Sequence, residues 1–150
     1  MMRQRFAAEI VRALHEGKIV GLRAGTEHRF IGVWVVVVEG RAFVRSWSLK
    51  PRSWYRTFLV DPRGAITIDG REIAIRAIRT RSERLKDAVS AAYAAKYQTR
   101  ASLKYVRGFA RAKLRATTTE LVPVAAKADA GALRARGTSW PRAGGRGDGR

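Results

Sequence analysis

Two hairpins separated by a short aromatic and basic connector constrain this chain more than any other feature. The first reads FIGVWVVVV, then Glu39-Gly40-Arg41, then AFVRSW; the second reads AITI, then Asp69-Gly70, then REIAIRAI. Glu39-Gly40 and Asp69-Gly70 are turn signals, and Asp69-Gly70 is the stronger, because both central positions of a type I′ turn need positive φ. Between the hairpins, LKPRSWYRTFLVDPR has the spacing of one short helix. A sheet that pauses for such a helix puts cations at a strand end and a helix start, two common places to hold a phosphate. The pattern points to an anion-binding site on a small β-barrel.

The flanking segments extend this reading. Phe6, Ile10, Val11 and Leu14 recur at helical spacing and Gly17 follows as a stop, so 5–16 reads as an amphipathic helix. A first strand is expected over 18–23, followed by the loop AGTEHR. The apolar run 30–39 does not alternate and reads as one strand buried on both faces. Thr80-Arg81-Ser82-Glu83 has capping-box spacing. Behind it Leu85, Ala88, Val89, Ala92, Tyr93, Lys96 and Tyr97 mark a helix over 82–97, and 116–122 reads as a last strand before Pro123.

The expected fold is mainly β with flanking helices. Val35, Val37, Phe43, Ile66, Ile68, Ile73 and Ile75 should supply core side chains. The expected division is an N-terminal helix in 1–17 packed on a barrel over 18–123, then an Arg/Gly/Ala-rich tail over 124–150 expected to be disordered. No βαβ unit with a glycine-rich phosphate loop is present, which argues against a Rossmann or P-loop nucleotide site.

Composition narrows the chemistry. Cysteine is absent and only His15 and His28 are histidines, so there is no thiol nucleophile and no zinc-hydrolase spacing. The net charge is +19, with 24 arginines and 7 lysines. The segment after Pro123 holds six basic and two acidic residues, or +4, which leaves +15 on the rest. Such an excess attracts nucleic acid or phosphorylated ligands nonspecifically. A solvated cationic surface of partly compositional origin is the plainer reading. The N-terminus lacks the apolar core of a signal peptide and the run 30–38 is too short to span a bilayer as a helix, so a cytoplasmic protein with no membrane partner is expected.

Two segments resemble a known family. VWVVVVEGRAFVRSWSLKPRSWYR follows its pattern of an apolar strand, a Tyr/Phe-Val-Arg-Ser strand end and a Trp-Tyr/Phe-Arg helix. SAAYAAKYQTR with the later ATTTELVP resembles its Ala-Tyr-x-x-Lys-Tyr helix and Thr-Thr-x-x-Leu-x-Pro strand. This is the bacterial family called domain of unknown function 2255. WYRTFLVDPRGAITIDGREIAIRA is also similar to the deazaflavin-dependent nitroreductases. Those enzymes, like pyridoxamine phosphate oxidases, are split β-barrels that bind a flavin-type cofactor, often at a dimer interface.

The resemblance implies a split β-barrel, a site for FMN, a deazaflavin or another phosphorylated small molecule, and, where an enzyme, an oxidoreductase. It also implies a homodimer, since a strand apolar on both faces needs cover that a partner subunit could supply. Where the nitroreductases carry Thr-Gly-Arg-x-Ser-Gly, this chain has Gly25-Thr26-Glu27-His28-Arg29-Phe30.

The candidate cofactor-binding residues are Arg45, Ser46, Lys50, Arg52, Trp54, Tyr55, Tyr93 and Lys96. Arg45 and Ser46 offer a guanidinium fork and a hydroxyl to phosphate oxygens, or form a solvated strand end. Lys50 and Arg52, with Arg56, lie near the start of the connector helix, where the dipole adds to anion attraction. Trp34, Trp47 and Trp54 could stack on a flavin ring, with Trp34 reading better as core. Trp54 and Tyr55 line a pocket or pack inward. Tyr93 beside Lys96 reads either as an acid–base pair, with the ammonium lowering the phenol, or as a packed tyrosine with a lysine snorkelling outward. The competing function is a basic nucleic-acid-binding barrel that stacks bases on Trp47, Trp54 and Tyr55.

Overall fold

The computed structural model describes residues 4–124; the first three residues, and all of the tail expected over 124–150 except Val124, lie outside them. Seven strands form one antiparallel sheet: β1 (Val20–Ala24), β2 (Ile31–Val33), β3 (Val35–Val38), β4 (Arg41–Val44), β5 (Arg63–Ile68), β6 (Arg71–Arg79) and β7 (Thr119–Pro123). Their order in space is β2-β1-β5-β6-β7-β4-β3. The two edges, β2 and β3, are consecutive in the chain and separated by Trp34 alone. The sheet is therefore a nearly closed barrel, with a seam at Trp34.

The seam corrects the reading of 30–39 as one strand. Val33 pairs with Val20 on β1, whereas Val35 pairs with Val44 on β4. Neighbouring residues can join opposite ends of a sheet only if the chain bends between them. The unbroken apolar pattern has another cause: β3 is covered on both faces. Val35, Ala42 and Val44 face the barrel core with Leu22, Ile66 and Ile75. Val36 and Phe43 face outward onto Leu85, Val89, Tyr93, Tyr97 and Phe109. The second face is thus covered by helices of the same chain.

Both hairpin turns have the expected backbone. Glu39 and Gly40 have φ of 56° and 74°, and Asp69 and Gly70 of 50° and 73°, which is the type I′ requirement. Of the expected core residues, Val35, Phe43, Ile66, Ile68, Ile73 and Ile75 are buried and Val37 is partly buried. Helices α1 (Ala8–Glu16) and α2 (Trp54–Val60) add Ile10, Leu14, Trp54, Tyr55 and Phe58 to the barrel core.

Helix α3 (Glu83–Lys96) packs on the outer face of β3. Its cap differs from the expected box: Ser82 Oγ accepts from the Leu85 N–H at 3.1 Å. Thr80 instead continues the β6 ladder, its N–H donating to Thr118 O at 3.0 Å. Three short helical segments follow in a stretch that carries little helical signature in the sequence: a 3₁₀ turn (Arg100–Ser102), α4 (Leu103–Phe109) and α5 (Ala112–Arg115).

Candidate functional site

A groove of about 610 Å³ opens beside the seam, within the size range of small-molecule sites. Its aromatic lining comes from Trp34 at the seam, Trp47 beyond β4, Trp54 opening α2, and Tyr105 and Phe109 on α4. Trp34 stacks on Tyr97 with centroids 4.0 Å apart and planes 5° from parallel. Trp47 meets Tyr105 edge-on at 4.9 Å and Phe109 at 5.7 Å. The polar lining is Arg45, Ser46, Ser48, Arg52 and Ser53. Arg52 is exposed, and next to it Ser53 Oγ caps α2 by accepting from the Arg56 N–H at 3.3 Å.

Arg45 lines the groove, but its guanidinium is turned into the protein. The residue is 3% exposed. Nε donates to Thr118 Oγ1 at 2.8 Å, Nη1 to Ser90 Oγ and Phe109 O at 2.8 Å each, and Nη2 to Lys86 O at 2.7 Å. Burial pulls its pKa down to about 10, and the four bonds to neutral oxygens hold the cation in place. Ser46 is equally engaged: its hydroxyl donates to Ser48 O at 2.6 Å and its N–H to Thr117 Oγ1 at 2.9 Å. The Arg-Ser strand end thus ties β4 to α3, α4 and the approach to β7.

Tyr93 and Lys96 sit at the seam rather than among the groove lining. The Tyr93 hydroxyl donates to Trp34 O at 2.7 Å and accepts from the Arg45 N–H at 3.0 Å. Lys96 Nζ donates to Val35 O at 2.6 Å and Leu14 O at 2.9 Å. Tyr97 completes the set, its hydroxyl donating to Lys18 O at 2.7 Å. The Tyr-x-x-Lys-Tyr helix therefore reads the backbone where the barrel closes.

This arrangement reverses the expected electrostatics. Burial pushes the Tyr93 phenol well above the ordinary tyrosine range, outweighing the lowering by Arg45. Lys96 does not snorkel outward; burial, then Lys18, lowers it to about 8. Tyr93 stays protonated at neutral pH, its hydroxyl engaged by the Trp34 carbonyl and the Arg45 N–H.

The two remaining candidates also lie outside the groove lining. Tyr55 is buried in the barrel core against Trp54, and the Lys50 side chain is exposed. The groove thus brings together Arg45, Ser46, Arg52 and Trp54 from the expected set. Tyr105 and Phe109 were missed because α4 was not read; their i, i+4 spacing was the available signal. The loop ahead of β2 leans on α2, with His28 Nε2 3.5 Å from Thr57 Oγ1. Among the described residues no three His, Asp or Glu side chains cluster as metal ligands, and no helix is long and apolar enough to cross a membrane.

A seven-stranded, nearly closed antiparallel barrel with an aromatic groove at its seam defines a split β-barrel protein. Residues 10–121 match the family described as an uncharacterized protein conserved in bacteria (DUF2255), and the chain belongs to that family. Similar solved structures include a conserved hypothetical protein of Mycobacterium tuberculosis, at 16% identity and a TM-score of 0.52. That match covers 83% of this chain and 86% of the other. A Listeria innocua protein described as a candidate pyridoxamine 5′-phosphate oxidase matches at 11% identity and a TM-score of 0.52, covering 77% and 90%. These likenesses show the fold. No curated protein matches the sequence.

Proposed function

We propose that the groove binds a flavin-type cofactor, FMN or a deazaflavin, or a related phosphorylated planar small molecule, and that the protein acts as an oxidoreductase. One observation carries this reading: aromatic side chains line a 610 Å³ groove and the exposed Arg52 lies in the same lining. The donor set fits such a group. Trp34, Trp47 and Trp54 offer ring faces and edges, and Arg52 with Ser53 offers donors to a phosphate. A bound flavin or deazaflavin would supply the hydride chemistry. The chain's own contribution is to hold the ring among apolar walls and to pair the phosphate. The split-barrel likeness to a candidate pyridoxamine 5′-phosphate oxidase supports the same reading.

Arg52, rather than Arg45, takes the phosphate-binding role, because the Arg45 donors are engaged inside the protein. A symmetric dimer is part of this proposal. Its surface is drawn from exposed apolar residues such as Leu59 and Val60 of α2, 53% and 87% exposed. The net charge of +19 supports a second reading, nonspecific binding of nucleic acid.

Titrating FMN, a deazaflavin and a short oligonucleotide against the wild type and Arg52→Ala separates the two. A saturable change in flavin absorbance that Arg52→Ala weakens about tenfold supports the proposal. No flavin binding, together with oligonucleotide binding that falls steeply with salt, replaces it with the second reading.

A further inference from the structure

Gly108 is an anomaly in α4. Glycine inside a helix costs about 1 kcal/mol relative to alanine, and this one is followed directly by the buried anchor Phe109. Its neighbour explains it. A Cβ placed on Gly108 would lie 2.5 Å from Cζ3 and 2.6 Å from Cη2 of Trp47. The six-membered ring of the indole therefore rests on the helix where a side chain is missing. Trp47 is held there edge-on to Tyr105 and Phe109, yet 49% of it is exposed, and it lines the groove.

We infer that Gly108 is a specificity-setting residue: by seating Trp47 low against α4, it sets how wide a planar ring the groove admits. This inference rests on the proposed reading of the groove as a ligand site. Carbon atoms in contact sit about 3.5–4.0 Å apart, so a methyl group at Gly108 would lift the indole by roughly 1 Å. The part that must move is the half-exposed end of a side chain, so the backbone of α4 need not yield. The displaced ring loses its place against Tyr105 and Phe109 and narrows the groove. A three-ring isoalloxazine suffers from that narrowing more than a two-ring pteridine.

Gly108→Ala, Trp47→Ala and the double variant test this with FMN and lumazine as probes. Urea unfolding, near-ultraviolet circular dichroism and ligand fluorescence are the readouts. Gly108→Ala is expected to be at least as stable as the wild type, to change the aromatic dichroism, and to weaken FMN about tenfold, the scale of one lost aromatic contact. The loss should be smaller for lumazine. In the Trp47→Ala background, adding Gly108→Ala should change FMN affinity by no more than about twofold, because the two residues act through one contact. Wild-type affinity and dichroism in Gly108→Ala would overturn the inference, as would an undiminished loss in the Trp47→Ala background. A wild type that binds no FMN sinks the proposed function instead, and the dichroism comparison alone then decides whether Gly108 seats Trp47.

Discussion

The Tyr93 hydroxyl on α3 reaches the backbone carbonyl of Trp34, 59 positions away in sequence, at 2.7 Å. Trp34 is the residue at which the sheet's two edges meet, and the same hydroxyl accepts from the Arg45 N–H at 3.0 Å. One phenol thus joins the seam to the end of β4, and α3 serves as the barrel's clasp.

Tyr93→Phe keeps the ring and removes only the hydroxyl. It leaves a partly buried carbonyl and a buried N–H without their partner, so stability should fall by about 2–4 kcal/mol. Urea denaturation measures this. A loss under about 0.5 kcal/mol, the range of an ordinary surface change, would show that the clasp contributes nothing.

Arg45 and Arg52 should separate stability from binding. Arg45→Ala strips the donor from Thr118, Ser90, Phe109 O and Lys86 O. Unfolding should become easier by about 3 kcal/mol or more. Arg45→Lys should not restore it, because a single ammonium cannot copy the planar fork. Arg52→Ala should leave the denaturation midpoint near wild type while weakening FMN. Equal stability of the two alanine variants would contradict the assignment.

Lys96 gives a pH signature. Its folded value is about 8, lowered by burial and then by Lys18 from an ordinary 10.5. Between those values the unfolded chain holds a proton that the folded chain lacks, so this group makes stability rise with pH; below about 8 its contribution is flat. The wild-type urea midpoint minus that of Lys96→Met should therefore climb from pH 8 to pH 10. Tyr93 and Tyr97 are shifted upward; their opposing contributions lie at higher pH and largely cancel in the difference. A difference independent of pH would mean that Lys96 titrates as an exposed lysine.

Glycines divide by what stands over them. A Cβ at Gly64 would strike the backbone carbonyl of Arg23 and lie 2.9 Å from the Phe58 ring, so Gly64→Ala must push strand from strand. It should destabilise by more than about 2 kcal/mol, in the range of overpacked cores, whereas Gly108→Ala should be tolerated. Parallel thermal melts of the two variants check the contrast.

The hairpins, the connector helix, α3 and the final strand were legible because each carries a local signature: turn residues with left-handed φ, helical spacing, alternation. The seam was not. Nothing in FIGVWVVVV distinguishes a strand buried on both faces from two short strands that pair with opposite ends of a sheet, since either can carry an unbroken apolar run. The Arg-Ser and Tyr-x-x-Lys motifs could be found in the sequence, but their role could not. A buried Arg45 and a ligand-binding Arg45 need the same residue at the same strand end, and only the positions of Ser90, Phe109 and Thr118, 45 to 73 residues away, decide between them. Helix α4 escaped because a seven-residue segment with a glycine in it has little periodicity to show.

The break at Trp34 also bears on how the chain survives outside its folded state. VWVVVV is an uncharged, proline-free, strongly β-forming hexapeptide, the composition of a cross-β fibril segment. In the folded protein β3 lies at a sheet edge, shielded by α3 on its outward face, and Arg29 and Glu39 flank the apolar run like gatekeepers. Release of α3 would bare the outward apolar face of this edge strand to other copies while the hydrogen-bonded strands β5 and β6 remained paired. Lesions at Tyr93 or Lys96 should therefore show themselves as inclusion bodies and rising turbidity on expression. How firmly α3 stays docked should then govern how readily the chain aggregates.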